Sequence, residues 1–200
     1  MEKNKKNGEL RGATEDSLKG SELDAAIAAR VDLMKSEQAR LLRELSSVGV
    51  HVQLVSDLNR WENKSYAHVL PILARHLHGA YSCGTLSSIA RAMAMREAYP
   101  YWDELVSLYT SQPSVRPEGP GDFSMALGVA VSASFRPERM ADLIDLLRTQ
   151  GLRNRVLLLT PLRRRRSRDP YIAQVLEELR HDPDLSKEIN SWKGMKKPLN

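Results

Sequence analysis

The sequence predicts an all-α fold built from stacked helix pairs, an α-solenoid, and three observations point there. Composition is the first. Leu, Ala and Arg, all good helix formers, dominate, only Phe123 and Phe135 represent phenylalanine, and β-branched clusters are sparse. Apolar periodicity is the second, with Leu, Ile and Val recurring at three- and four-residue steps along most of the chain. The third is a recurring start signal. Pro100, Pro137 and Pro170 lie 37 and 33 positions apart, each ahead of an apolar stripe. Proline suits the first helical position because its missing N–H would be unpaired there anyway.

Residues 1–20 are polar and glycine-punctuated, with Leu10 and Leu18 as their only larger apolar residues after Met1, and read as a flexible tail. Ser21 then offers an N-cap, with Asp24 three positions on as an imperfect capping box. Leu23, Ile27, Val31, Met34, Leu41, Leu42 and Leu45 form the stripe of a long helix that Gly49 closes. A second helix, from about Val50 to Trp61, carries Val52, Val55 and Leu58. Together, residues 21–64 read as an N-terminal helical cap.

A different rhythm occupies residues 65–192. Val69, Leu70, Ile72, Leu73 and Leu77 make a first stripe. It returns as Leu105, Val106 and Leu108, as Leu143, Ile144, Leu146 and Leu147, and as Val175, Leu176 and Leu179. Partner helices are expected between them, at about Thr85–Glu97, Phe123–Ser134, Leu152–Arg166 and Asp184–Trp192. Asp169 and Asp182 precede Pro170 and Pro183 as natural N-caps. Pro71 and Pro161 fall inside apolar patterns, where a proline bends or ends a helix. Pro71 is expected to kink its helix, and Pro161 to mark an early end. Four helix pairs with a period in the thirties indicate a solenoid, each pair burying its apolar face against the next. Residues 193–200 read as a polar C-terminal tail.

The clearest unit runs from Leu143 to Arg148, turns at Gly151, and continues from Asn154 to Arg163. Its amphipathic first helix, glycine turn and second helix opening at Arg155 and Val156 resemble a HEAT repeat of the HEAT/armadillo superfamily, over roughly residues 65–192. The resemblance implies a right-handed solenoid of about four pairs. Such arrays serve many unrelated purposes, so function has to come from sites. The proline-rich loop 112–121 is long for a turn within a repeat.

The function classes that the residues exclude are broad. Cys83 is the only cysteine, so an internal disulfide and a cysteine-rich metal site are impossible. Met1 to Lys6 is basic but leads into Asn7, Gly8 and Glu9, unlike a secretory signal. The uncharged run Phe123–Phe135 has 13 residues, too short to span a bilayer. A cytoplasmic, reducing setting is expected, without membrane contact. There is no GxxxxGK[ST], GxGxxG, GxSxG or HExxH motif, so neither an enzyme nor a cofactor is expected. His76 and His78 stand two apart and would face different ways on a helix, a poor metal pair. Ala126, Gly128, Ala130 and Ala133 would let helix backbones approach closely. Trp102 and Tyr109 read as core, whereas Tyr99 and Tyr101 could anchor an interface.

Charge is the remaining signal. The chain carries 30 basic and 25 acidic residues, and its excess of +5 equals the five arginines at 163, 164, 165, 166 and 168. Arginines in a row suit phosphate or carboxylate through planar, bidentate donors. The blander alternative is a solvated helix end complementing the macrodipole. On a helix Arg163 and Arg166 share a face, so the run cannot make one flat patch without a bend. The expected function is a non-catalytic scaffold, an adaptor or toxin-neutralising module. It would bind the acidic surface of a protein partner through Arg91, Arg96, Arg153, Arg155, Arg163, Arg164 and Arg166. Nucleic-acid backbone binding at 163–168 is the alternative.

Overall fold

The computed structural model describes residues 6–60, 66–113 and 121–192, with the side chains of 22–25 and from 27 onward. Trp61, residues 1–5 of the expected tail 1–20 and the expected tail 193–200 lie outside the described residues, as does most of the loop 112–121. The fold is all-α, and no strand occurs among the described residues. No helix among them is long and apolar enough to cross a membrane.

Helix α1 spans Lys6–Ser47, and so begins well before the expected start at Ser21. No proline interrupts this stretch, and its Glu, Lys, Arg, Ala and Leu residues favour the helix. Gly8, Gly12 and Gly20 weaken it by about 1 kcal/mol each without removing a hydrogen-bond donor. Residues 6–20 therefore extend α1. Leu23, Ile27 and Leu33 lie exposed, and packing begins at the C-terminal third, where Gln38, Leu41 and Leu45 are fully buried. The end follows the expectation closely. Gly49 sits at φ 87°, its N–H donates to the Ser46 carbonyl at 3.1 Å, and the Val50 N–H donates to the Leu45 carbonyl at 3.0 Å. This is a Schellman closure, with Leu45 and Val50 both buried in the core.

The expected helix from Val50 to Trp61 shortens to a 3₁₀ segment, Val55–Arg60. Side chains take the donors that a longer helix would use. Asp57 accepts the Gln53 and Leu54 N–H groups, and the Gln38 side chain accepts that of Val55 at 2.9 Å. The Gln38 amide also donates to Thr85 at 3.2 Å, so one buried glutamine ties α1 to the Val55–Arg60 segment and to the helix that carries Thr85.

Along residues 66–192 the helices follow in the expected order, but several starts are tighter than expected. Helices α2 (Leu70–His76), α4 (Trp102–Thr110) and α6 (Met140–Arg148) are entered through 3₁₀ turns at Ala67–Val69, Arg96–Tyr101 and Pro137–Arg139. Pro71 lies at the start of α2, where it removes no helical bond, so there is no kink to explain. Pro100 lies inside its 3₁₀ turn, whereas Pro137 opens one. Helix α3 covers Cys83–Ala92, shorter than the expected Thr85–Glu97, and α5 covers Phe123–Ser134. The expected helix Leu152–Arg166 divides into a 3₁₀ turn, Arg155–Leu158, and α7, Leu159–Arg163. As expected from Pro161, α7 ends early, and turns follow. Helices α8 (Pro170–Leu179) and α9 (Ser186–Ser191) are the last among the described residues. The Asp169 carboxylate accepts the Tyr171 and Ile172 N–H groups, and Asp182 accepts those of Asp184 and Leu185.

Helix α5 is the centre of the core, packing on α3, α4 and the Arg155–Leu158 turn. Its small residues permit this: a Cβ on Gly128 would stand 3.2 Å from Leu157 Cδ1 and 3.5 Å from Tyr109 Cε2. Buried aromatics fasten the layers through their polar ends. Tyr66 donates to the Ala92 carbonyl, Trp102 to that of Val131, and Tyr109 to that of Arg153.

Candidate functional site

The end of α5, the start of the Pro137 turn and the far side of α7 enclose an open groove of about 910 Å³. Val129, Ala133, Phe135, Leu157 and Pro161 supply its apolar part. Around them stand Arg96, Arg136, Arg164, Arg165 and Arg168, with Glu138 as the one carboxylate of the lining. None of these five arginines makes an ion pair within 4.0 Å among the described residues.

Local backbone explains how distant arginines meet. Phe135 ends α5 in an extended conformation, and Arg136 follows at φ −123°, ψ 154°, the region that a residue before proline must take. This swings Arg136 over the Tyr99 ring, its guanidinium carbon 4.0 Å from the centroid. Across the groove, α7 stops at Arg163 and the chain turns, with the Arg165 N–H donating to the Leu162 carbonyl and that of Arg168 to the Arg165 carbonyl. Arg165 thereby lies 5.4 Å from the Phe135 ring. Stacking of this kind fixes a guanidinium plane while leaving its N–H edges for a ligand.

The arginine run parts to two sides where the chain turns beyond α7. Arg165 and Arg168 line the groove. Arg163 and Arg166 lie 5.4 and 5.5 Å from the Trp192 ring, and with Arg164, Thr160 and Ser167 they bound a second concavity of about 460 Å³. Arg164 belongs to both.

The other expected site residues separate. Arg96 lines the groove, while Arg91, exposed on the last turn of α3, lies outside its lining. Arg153 and Arg155 need correction, because folding uses both. Arg153 pairs with Asp122, the N-cap of α5, at 2.7 Å. Arg155 has no exposed side-chain surface and binds Asp182, Asp184 and the Leu147 carbonyl. Burial works against its charge, and the two carboxylates more than offset that, lifting the guanidinium above its ordinary pKa. A residue so enclosed cannot meet a partner. Sequence reasoning missed Arg136. Its signal was a position directly before a helix-starting proline, with nothing to relate it to a run far downstream.

Tyr99 and Tyr101 are half-buried, Tyr99 being covered by Arg136, and Trp102 and Tyr109 are core. His76 is buried against Tyr81 and Glu44, and His78 pairs with Glu104. No group of three or more His, Cys, Asp or Glu suited to a metal ion occurs among the described residues. No family model, curated protein or solved structure matches the chain. The geometry of the groove therefore carries the functional reading.

Proposed function

We propose that this chain is a non-catalytic binding module, a right-handed HEAT-like solenoid of about four helix pairs behind an N-terminal cap. Its groove receives an acidic segment of a protein partner, in an adaptor or neutralising role in the cytoplasm. One observation carries the proposal: five arginines with no carboxylate partner among the described residues surround an apolar floor. Gathering like charges gives the folded chain no stability of its own and sets up self-repulsion. The arrangement gains stability when an anion enters, and the apolar floor adds burial for side chains beside the acidic ones.

Nucleic-acid backbone binding is served less well. Bases stack on open aromatic faces, and here Tyr99, Phe135 and Trp192 already carry guanidiniums. A duplex would also leave the apolar floor unmet.

Affinity purification from the native cell, with the full chain and its Arg136→Gln, Arg165→Gln variant as parallel baits, tests the proposal. A single stoichiometric partner that the wild type retains and the variant loses is the expected result. Equal retention would remove the groove from the binding surface. Retention of a labelled DNA duplex at ~50 mM salt, falling steeply as salt rises, would establish the nucleic-acid reading instead.

A further inference from the structure

The second concavity differs in chemistry from the groove it adjoins. Its lining consists of Arg163, Arg164, Arg166, Thr160 and Ser167, with no apolar residue among them. Thr160 and Ser167 are exposed, and their hydroxyls have no hydrogen-bond partner among the described residues. Glu188 stands at the margin, its Oε1 accepting the Trp192 indole N–H at 2.8 Å and forming a long ion pair, 4.0 Å, with Arg163. That bond holds the indole ring beside which the Arg163 and Arg166 guanidiniums lie.

We propose that this concavity is an oxyanion subsite for a phosphate monoester, a phosphoserine or phosphothreonine carried by the protein segment that occupies the groove. A carboxylate has one charge and two coplanar oxygens, which a single guanidinium satisfies in bidentate fashion. Even with Glu188 paired to Arg163, the three guanidiniums and two hydroxyls together carry more positive charge and more donor directions than that. A phosphate monoester matches them, with three terminal oxygens and a charge of about −1.5 to −2. The hydroxyls are informative because they add donors without charge, which a merely solvated helix end does not need. Thr160 and Arg164 line both sites. One extended ligand can therefore place apolar and acidic side chains on the floor and a phosphate beyond Arg164. For the polypeptide that bears the phosphate, this rests on the groove reading; the phosphate chemistry itself does not.

Titration of the ¹⁵N-labelled full chain with O-phospho-L-serine and, at matched ionic strength, with L-aspartate tests the subsite through the arginine Nε–Hε resonances. Phosphoserine is expected to shift Arg163, Arg164 and Arg166 saturably, with an affinity about tenfold or more above that of aspartate. The Thr160→Val, Ser167→Ala variant keeps every charge. It is expected to lose about threefold to tenfold in phosphoserine affinity, with aspartate unchanged. Equal affinity for the two probes, or no effect of removing the hydroxyls, would overturn the subsite. Phosphoserine binding that persists in Arg136→Gln, Arg165→Gln after that variant still captures the partner would keep the subsite and discard the groove. A labelled DNA duplex that displaces phosphoserine at lower concentration than any phosphoserine probe requires would overturn the protein source of the phosphate.

Discussion

Arg155 and Asp182 meet as a two-pronged pair, with Nη1 and Nη2 donating to the two carboxylate oxygens at 2.9 and 3.1 Å. The side chains are 0 % and 7 % exposed. The same guanidinium donates to the Leu147 carbonyl at 2.7 Å and to Asp184 at 2.7 Å, so the end of α6 is bound to the turn ahead of α9. Burial pushes the Asp182 carboxyl up, and Arg155, Gln150 and the Asp184 N–H together outweigh it, holding the group below its ordinary range.

Breaking that pair from one side is expected to be severe. Arg155→Met leaves Asp182 buried without its cation, and a loss of about 3–5 kcal/mol is expected in urea unfolding. Replacing Asp182 as well with an apolar residue should restore part of the loss, because a buried pair gives little over well-packed apolar groups. A single variant as stable as the wild type would show that the pair holds nothing together.

Acid should loosen the junction between α1 and α2. The Arg75 guanidinium, 2.5 Å from Glu44, holds that carboxyl down at about 2, with burial opposing and His76 and Arg40 assisting. Its ordinary value is 4.5. The folded form thus has the lower pKa, and the stability that it contributes is present above 4.5 and disappears as pH falls toward about 2. Glu44→Gln should flatten the acid limb of the urea midpoint in that window. Because Arg75 is exposed, added salt should shrink the difference. An unaltered limb would count against this assignment.

Gly49→Ala isolates backbone strain. At φ 87° an alanine is disfavoured, yet a Cβ there would meet nothing within 4 Å. A loss of about 1 kcal/mol in thermal or urea unfolding is expected, with no change in any packing contact. A neutral substitution would mean that the closure of α1 relaxes out of the left-handed region.

The sequence was most legible where a local rule acts alone. Gly49 had to close α1, Asp169 had to cap α8, and the stripes around Leu143 and Leu176 had to face inward. Each is decided within a few residues by backbone sterics or periodicity. Segments where side chains compete for backbone donors were less legible, as with Asp57 and Gln38, which hold Val55–Arg60 to 3₁₀ geometry. Least legible was the fate of the arginines. Arg153 and Arg155 look like surface charges until Asp122 and Asp182 arrive from about thirty positions away to enclose them. Arg136 joins Arg165 only because the Pro137 turn and the end of α7 face each other.

The cation–π contacts of Arg136 with Tyr99 and of Arg165 with Phe135 narrow the rotamer freedom of these side chains when the chain folds. On the proposed reading, an incoming anion then meets partly ordered donors, and it avoids part of the ~0.5–1.5 kcal/mol of ordering per side chain. A groove rebuilt with lysines would attract anions from the same distance and respond to salt with the same slope. It would hold them less well, and it would no longer distinguish a flat anion from a round one. Lysine substitution thus separates two properties that net charge merges: how strongly the surface calls an anion in, and how selectively it keeps one.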